Sequence, residues 1–448
     1  MNENRREFLK WSGVVLASGA SGHVVAETVP TTTGSVCAAI SVVGKLDLPK
    51  ARGPRLVIVG AGTSGLSIAA HARKAYPRFD VVLIDKRDAY ASGFCSSLWY
   101  VGLVDHEFIA AHSFLDAAAR HDYLFVNAVV TGLDRAARTL VTSEGELHYD
   151  FLVLAPGVSY DYARIGVTDP ADRMVLSQRY PAGFVSPMEH VSLRRKFQEF
   201  EGGLFVQTVP SGNYRCLPAP YERACLMAGW IKRHKLKGKV LILDANPEIA
   251  SMHSGFQAAF DELYKGIIEW KPGVALTGVD VAKKLLATEF DSFPFDDASI
   301  YPNIRASSLI EQLGLVDPKS LQKEANVDVR FNNVIGDPHV YVAGDARNHP
   351  YSKSANTAST EGRYVAQVLA ARAKDREVAW TSPESLCFSM VDAGRRQAIK
   401  VFTKYLYDAK TDSINGTAPE TRAWERRDQA NGRAYLEWAQ GMYAEMFG

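Results

Sequence analysis

The sequence predicts an α/β protein with two Rossmann-like domains of the dinucleotide-binding type and a smaller α+β domain at the C-terminus. A strand, a glycine-rich turn and a helix follow one another after residue 55, and a strand-and-helix pattern recurs from about residue 200 and again after residue 335. Strands that alternate with helices favour parallel sheets. The 448 residues give room for two or three domains with substantial cores.

The turn at Gly60-x-Gly62-x-x-Gly65 is the most informative local feature. It follows the apolar strand Leu56 to Val59. Glycines at this spacing let backbone amides at a helix N-terminus approach a pyrophosphate. The next strand ends in Asp85, an acid suited to a ribose hydroxyl. The segment therefore predicts an adenine dinucleotide, and by itself it leaves NAD and FAD open.

Composition excludes several classes of protein. The chain has 51 basic and 50 acidic residues, a balance that gives no electrostatic basis for binding nucleic acid or an acidic membrane surface. Its five cysteines show no metal-ligand spacing such as C-x-x-C, so we expect neither a zinc nor an iron–sulfur site.

The first 26 residues are typical of a twin-arginine export signal. Arg5-Arg6 precedes a modestly apolar run from Trp11 to Ala20 and a small-residue stretch ending at Ala26. An N-terminal amphipathic helix is the alternative. No later run of about 18 apolar residues appears, so we expect a periplasmic protein without a stable membrane anchor.

Changes in composition and pattern predict the boundaries of the remaining segments. We assign a leader to residues 27–53 and a dinucleotide-binding domain to 54–160 together with 310–375. We assign a second Rossmann-like domain to 161–309 and a C-terminal domain, rich in aromatic and charged residues, to 376–448.

The second Rossmann-like domain lacks the glycine fingerprint. Where that turn is expected, the chain reads Val209-Pro-Ser-Gly-Asn-Tyr-Arg-Cys-Leu-Pro-Ala-Pro220. Two prolines and the bulky Tyr214 and Arg215 obstruct the approach of a second pyrophosphate. We therefore expect this domain to bind no NAD(P)H.

Two later segments complete a set of three motifs. The stretch Tyr149 to Gly157 is a buried strand that ends in Pro-Gly, and Val342-Ala-Gly344-Asp345-Ala places a carboxylate at a strand end. With the first turn, they resemble the three FAD-binding motifs of flavoproteins with the glutathione-reductase-like FAD/NAD(P) fold. Within this group the chain is similar to the flavoprotein subunits of flavocytochrome c sulfide dehydrogenase, relatives of sulfide:quinone oxidoreductase. The segment Arg215-Cys216-x-Pro-x-Pro-Tyr-Glu222-Arg223 carries much of that resemblance.

The resemblance implies that FAD is the cofactor and indicates which residues hold it. These are Gly60, Gly62, Gly65, Asp85, Gly157, Gly344, Asp345 and Asn356. It also implies that Cys95 forms a covalent bond to the flavin. A buried thiol that packs as a small hydrophobe is the alternative.

The resemblance also implies three catalytic positions. Cys216 matches a redox cysteine, but no second one occurs between Leu315 and His339, where we expect it, and Cys387 matches a different family position. That absence leaves the donor open, because a thiol–disulfide relay needs two sulfurs. Glu222 is the candidate acid/base, with a salt bridge to Arg223 or Arg215 as the alternative. Lys353 is the candidate cation near the flavin, with an exposed lysine as the alternative.

The sequence therefore predicts an exported FAD-dependent oxidoreductase that takes electrons from sulfide or another small reduced sulfur compound. The resemblance implies a c-type cytochrome subunit or a soluble cytochrome c as acceptor. Two alternatives stay open at this point, a sulfide:quinone oxidoreductase and a flavin-binding assembly subunit without catalysis.

Overall fold

The computed structural model describes residues 45–110 and 112–448, which lie in one compact unit, Val42–Gly448. The predicted export signal at residues 1–26 and most of the predicted leader fall outside the described residues.

The first parallel sheet is built around the strand that precedes the glycine-rich turn. Its strand order is β19 (Val340–Val342), β9 (Phe151–Leu154), β1 (Arg55–Val59), β2 (Asp80–Asp85) and β5 (Leu124–Asn127), and every pairing is parallel. The inner strands are continuous apolar runs because both of their faces are covered. The elements up to its fourth strand are β1 (Arg55–Val59), α1 (Thr63–Ala75), β2 (Asp80–Asp85), β3 (Ala89–Tyr90), α2 (Ser96–Tyr100), α3 (Glu107–Ala110), β4 (His112–Ser113), α4 (Phe114–His121), β5 (Leu124–Asn127), β6 (Val130–Asp134), β7 (Thr139–Thr142), β8 (Gly145–His148) and β9 (Phe151–Leu154).

A second parallel sheet has the order β13-β12-β11-β17. Helix α7 follows β11 and is buried along most of its first three turns. The elements of this region are β10 (Val158–Asp161), α5 (Pro170–Arg179), α6 (Pro187–Glu199), β11 (Gly203–Val209), α7 (Ala219–His234), β12 (Gly238–Asp244), α8 (His253–Glu262), β13 (Ile268–Lys271), β14 (Leu276–Asp280), β15 (Leu285–Thr288), β16 (Ser292–Pro294), β17 (Asp297–Ser299), β18 (Asn303–Ala306) and α9 (Ser308–Gln312).

The chain then returns to the first sheet and ends in an antiparallel sheet with a long helix. In that last sheet β21 pairs with β20, β22 and β23. Strand β20 packs against α7, so the C-terminal region reaches the helix that follows Cys216. The elements are β19 (Val340–Val342), α10 (Ala355–Arg372), β20 (Glu384–Asp392), β21 (Gln397–Asp408), β22 (Ser413–Thr417), β23 (Arg422–Asp428) and α11 (Gln429–Phe447).

The predicted fold class is confirmed: two parallel sheets are flanked by helices, smaller antiparallel sheets accompany them, and the C-terminal antiparallel sheet has its own helix. Helix α7 begins two residues before the predicted start near Tyr221, because Ala219 and Pro220 form its first turn. Within residues 45–110 and 112–448, no helix has the length and hydropathy needed to cross a bilayer. The domain boundaries stay predictions.

Candidate cofactor and thiol site

The glycine-rich turn between β1 and α1 leaves room for a ligand. Gly60 has a φ of +101°, and a Cβ on Gly65 would lie 1.9 Å from the Gly60 carbonyl oxygen, so both positions require glycine. A Cβ on Gly62, the residue that caps α1, would meet nothing within 4 Å. The backbone N–H groups of the first turn of α1 can therefore face an anion.

Ser64, in that first turn, is an independent sign of a ligand. Its Oγ is buried and has no hydrogen-bond partner among the described residues. A buried hydroxyl without a partner is costly, and a phosphate oxygen would satisfy it. Gly344 lies beside it, since a Cβ there would be 3.1 Å from the Ser64 Cβ. The turn thus fits the pyrophosphate of a dinucleotide.

Asp85, at the end of β2, is already hydrogen-bonded. Its carboxylate accepts from the Ala61 N–H at 2.7 Å and from the backbone and guanidinium of Arg87 at 2.8, 3.0 and 3.1 Å. Burial opposes ionisation, but the hydrogen bonds and charge of Arg87 hold the pKa of Asp85 below its usual value. The predicted contact to a ribose hydroxyl would share this carboxylate with Arg87, and it stays a prediction.

Gly157 and Asp345 follow two neighbouring strands of the same sheet, β9 and β19. Gly157 has a φ of +70°, and a Cβ on it would meet open space. The Asp345 carboxylate forms an ion pair with Arg215 Nε at 3.2 Å. Because the carboxyl ends of parallel strands meet at one edge of a sheet, both residues lie on the side of the glycine-rich turn.

Lys353 is buried, with 1% of its surface exposed. Its Nζ forms an ion pair with Glu324 and donates to the Asp345 carbonyl oxygen at 2.9 Å. The alternative of an exposed lysine is therefore wrong. The structure ties this cation to the backbone of the Gly-Asp motif, and its contact with a flavin stays a prediction.

Asn356, in the first turn of α10, has partners in the C-terminal region. Its Nδ2 donates to the Glu384 carbonyl oxygen at 2.9 Å, and its Oδ1 accepts from Trp438 Nε1 at 2.8 Å. These bonds join α10 to β20 and α11. A role for Asn356 in cofactor binding stays a prediction.

Cys95 and Cys216 share an unusual backbone conformation. Their φ angles are +61° and +59°, in the left-handed region that disfavours residues with a side chain. Cys95 is buried directly before α2, whereas Cys216 is partly exposed in the turn between β11 and α7. The Cys216 N–H donates to the Lys353 carbonyl oxygen at 2.8 Å. Such strained positions cluster at functional sites.

A second thiol, Cys387 on β20, lies close enough to Cys216 to raise its pKa. Burial raises the pKa of the Cys216 thiol, and the nearby Cys387 and Glu222 raise it further. Two hydrogen bonds connect the Lys353 segment to Cys387. Ser354, next to Lys353, hydrogen-bonds Ser385 Oγ at 3.3 Å, and Ser385 Oγ lies 3.7 Å from Cys387 Sγ. The segment from Leu315 to His339 has no cysteine, as the sequence indicates, and the structure instead brings Cys387 near Cys216 because β20 packs against α7. A redox role for Cys387 stays a proposal.

Glu222, one turn into α7, is 3% exposed. Its Oε1 accepts from the Met390 N–H at 2.8 Å, and no ion pair joins it to Arg215 or Arg223 in the described structure. Burial raises the pKa of Glu222 to about 7, although the Met390 N–H and the charge of Arg223 act in the opposite direction. Glu222 can therefore hold or release a proton near neutral pH.

Tyr435 on α11 lies near several of these residues. No pattern in the sequence predicted its place in the site. Its hydroxyl interacts with Glu222 and with Cys95, and Cys216 is close enough to raise its pKa further. Ser97 also lies close enough to Glu222 to lower its pKa. We call Cys95, Cys216, Cys387, Glu222 and Tyr435 the thiol cluster. Cys225, by contrast, is buried in the hydrophobic core.

Two family models match parts of the chain, and one of them includes the glycine-rich turn. The family model described as sulfide dehydrogenase [flavocytochrome c] flavoprotein chain, central, matches residues 191–302. A model described as an NAD(P)-binding Rossmann-like domain matches residues 58–122.

The chain is also similar to two curated enzymes. It is 26% identical over 243 residues to the mitochondrial sulfide:quinone oxidoreductase of Schizosaccharomyces pombe, a match that covers 50% of each chain. It is 23% identical over 323 residues to the mitochondrial sulfide:quinone oxidoreductase of Dictyostelium discoideum, with 67% of each chain covered. The chain thus spans about half the length of the first of these relatives and about two thirds of the second.

Solved structures share the fold. The sulfide:quinone oxidoreductase of Aquifex aeolicus superposes with a TM-score of 0.72 at 15% identity, over 88% of this chain and 92% of that one. NDH2 of Plasmodium falciparum has a TM-score of 0.61 at 11% identity, over 88% and 98%. At these identities the likeness establishes a common fold.

The raised pKa of Glu222 makes stability depend on pH in a defined direction. Between about pH 4.5 and pH 7 the unfolded chain has lost a proton that the folded chain keeps, so the free energy of unfolding falls as pH rises. Glu222→Gln should remove a fall of about 3 kcal/mol across this window. Urea unfolding of both proteins at pH 4.5 to 8 measures the difference.

Glu420→Gln is the matched control, because Glu420 is exposed. It should follow the wild type at every pH. Equal pH dependence of the wild type and Glu222→Gln would show that Glu222 ionises normally in the folded protein.

Proposed function

Because this chain belongs to the sulfide:quinone oxidoreductase-like family of FAD-dependent oxidoreductases, we propose that it oxidises sulfide with a thiol pair and passes the electrons to a c-type cytochrome. The observation that carries the proposal is the juxtaposition of Cys216 and Cys387 beside Glu222. Both thiols are partly exposed, so a small donor can reach them.

The residues at the edge of the first sheet would hold FAD. The glycine turn and Ser64 Oγ would bind the pyrophosphate, and Asp345 would bind the ribityl chain through the carboxylate oxygen that is not paired with Arg215. When bound, FAD supplies an acceptor for two electrons that it can release singly.

The thiol pair would begin the reaction as a disulfide. Hydrosulfide attacks one sulfur, which forms a persulfide and breaks the S–S bond, and the other cysteine leaves as a thiolate. A second hydrosulfide takes the outer sulfur away as hydrodisulfide. Reoxidation of the two cysteines to the disulfide then releases two electrons. In total, two hydrosulfide ions give one hydrodisulfide ion, one proton and two electrons.

Glu222 would manage the protons of this cycle. Burial raises the pKa of both Cys216 and Cys387, so the reduced pair tends to keep its protons at neutral pH. A disulfide cannot re-form until they are removed. A carboxyl group with a pKa of about 7 in the same cluster is suited to accept one of them.

The proposal also names the electron acceptor and the cellular location of the protein. The turn after β11 carries Arg215 and Cys216 in place of glycines, which opposes NAD(P)H as acceptor. The flavocytochrome description of the matching family model supports a c-type cytochrome instead.

We place the protein in the periplasm on the strength of the Arg5-Arg6 signal. Cell fractionation with Arg5 and Arg6 changed to Lys tests that placement.

Cys216→Ala and Cys387→Ala should each slow anaerobic bleaching of the flavin by sulfide at least ~1,000-fold, because each removes one of two sulfurs that act as a unit. Stopped-flow absorbance measures the rate, and reduction of added cytochrome c measures the second half-reaction. Cys225→Ala, a cysteine in the core, is the matched control and should keep the wild-type rate.

Three results would contradict parts of the proposal. Full activity of Cys387→Ala would leave Cys216 acting alone through a persulfide. Bleaching of the wild type by another donor but not by sulfide would remove the sulfur assignment. No bleaching by any donor would favour a flavin-binding subunit without catalysis.

We also propose that Cys95 carries the flavin through a thioether. It is buried in the thiol cluster with a left-handed backbone, a placement that a small core residue does not require. Acid precipitation of the purified protein should leave yellow colour in the pellet, and Cys95→Ser should release the colour to the supernatant. Colourless wild-type pellets would contradict a covalent bond.

A further inference from the structure

Arg223 is a buried cation with no carboxylate partner in the described part of the chain. Only 3% of its surface is exposed, and none of the ion pairs among the described residues includes it. Two other arginines differ in this respect, since the half-buried Arg215 pairs with Asp345 and the buried Arg347 pairs with Glu361. Burying a charge without a counterion is costly. The fold therefore leaves one positive charge that an anion can compensate.

The Arg223 guanidinium is held in one orientation. It donates from Nη1 to the Ala182 carbonyl oxygen and from Nη2 to the Gly183 carbonyl oxygen. The Phe184 ring lies 4.4 Å from its Cζ, and the Tyr100 ring lies 5.8 Å away. Its Nε is buried and has no hydrogen-bond partner in the described part of the chain. One N–H of a fixed guanidinium thus lacks an acceptor, which a ligand that reaches it would supply.

Glu189 holds the loop that fixes this orientation. Its carboxylate accepts from the N–H groups of Gly183, Val185 and Ser186 at 2.6, 3.0 and 2.6 Å, and from the Tyr160 hydroxyl at 2.6 Å. Three backbone donors on one carboxylate make the loop 182–186 rigid. The carbonyl groups that orient Arg223 belong to this loop.

Arg223 is also next to the thiol cluster. It follows Glu222 in α7, and its charge lowers the pKa of both Cys216 and Glu222. The loop that binds Arg223 also binds the neighbour of Cys216, because Arg215 Nη1 donates to the Phe184 carbonyl oxygen at 2.7 Å. An anion held by Arg223 would therefore lie within electrostatic range of Cys216.

We propose that Arg223 is the subsite for the anionic sulfur compound, binding the hydrosulfide donor and the hydrodisulfide product through Nε. This inference rests on the proposed function for the identity of the anion. The pyrophosphate of the cofactor has its own donors at the glycine turn of the other parallel sheet. A small anion from solution is thus the occupant that the geometry favours.

The test uses thiocyanate, a small anion that donates no electrons, titrated into the oxidised holoenzyme. We expect a saturable change in the flavin absorption spectrum and competitive inhibition against sulfide. Arg223→Lys keeps the charge but cannot hold two carbonyl groups and also present Nε–H, so it should weaken thiocyanate binding and raise the KM for sulfide about 10-fold to 100-fold. The kcat should change much less.

Two further variants sharpen the test. Arg194→Lys is the matched control, because Arg194 also stacks on an aromatic ring, Trp99, and donates to a backbone carbonyl oxygen, and it should bind thiocyanate like the wild type. Glu189→Gln leaves Arg223 in place but loosens its loop, so it should weaken thiocyanate binding several-fold. Glu189→Gln also keeps the proposal testable if Arg223→Lys does not fold.

Unchanged thiocyanate binding in Arg223→Lys and Glu189→Gln would overturn the subsite. Loss of flavin from Arg223→Lys, with an unchanged KM in the molecules that retain it, would assign Arg223 to the cofactor and overturn it as well. If the wild type binds thiocyanate through Arg223 but does not oxidise sulfide, the anion subsite stands and the proposed donor is wrong.

Discussion

The hydrogen bond from the Cys216 N–H to the Lys353 carbonyl oxygen, at 2.8 Å, joins the two halves of the site. Cys216 lies in the turn after the first strand of the second sheet, and Lys353 follows the Gly-Asp motif of the first sheet. The ion pair between Arg215 and Asp345 reinforces the same junction. A redox centre at the edge of the first sheet can use a thiol of the second sheet only if this junction is fixed.

Burial sets the chemistry at the junction. It raises the pKa of the thiols and of Glu222 above the values that the same groups have in water. The cluster therefore keeps its protons at a higher pH than exposed groups of the same kind. Proton transfer then becomes a step that one residue can control. The same burial raises the free energy of an uncompensated cation such as Arg223. Acid/base behaviour and anion binding at this site therefore both follow from burial.

The sequence predicts the local parts of this site well and the long-range parts poorly. The Gly60 turn and Gly344-Asp345 are recognisable because a few consecutive residues determine their backbone. Cys387 is different, since its place beside Cys216 depends on how β20 packs against α7, and no spacing along the chain encodes that packing. The Met390 N–H and the loop 182–186 are backbone groups, which have no signature in the sequence at all.

The central claim is that Cys216 and Cys387 form a redox pair, and non-reducing peptide mapping of the oxidised protein tests it most directly. Thiols are blocked by alkylation before digestion, and the peptides are identified by mass spectrometry. The account predicts one peptide pair linked through Cys216 and Cys387, with the core residue Cys225 unlinked. Recovery of Cys216 and Cys387 as separately alkylated peptides, or of Cys216 linked to another cysteine, would contradict it.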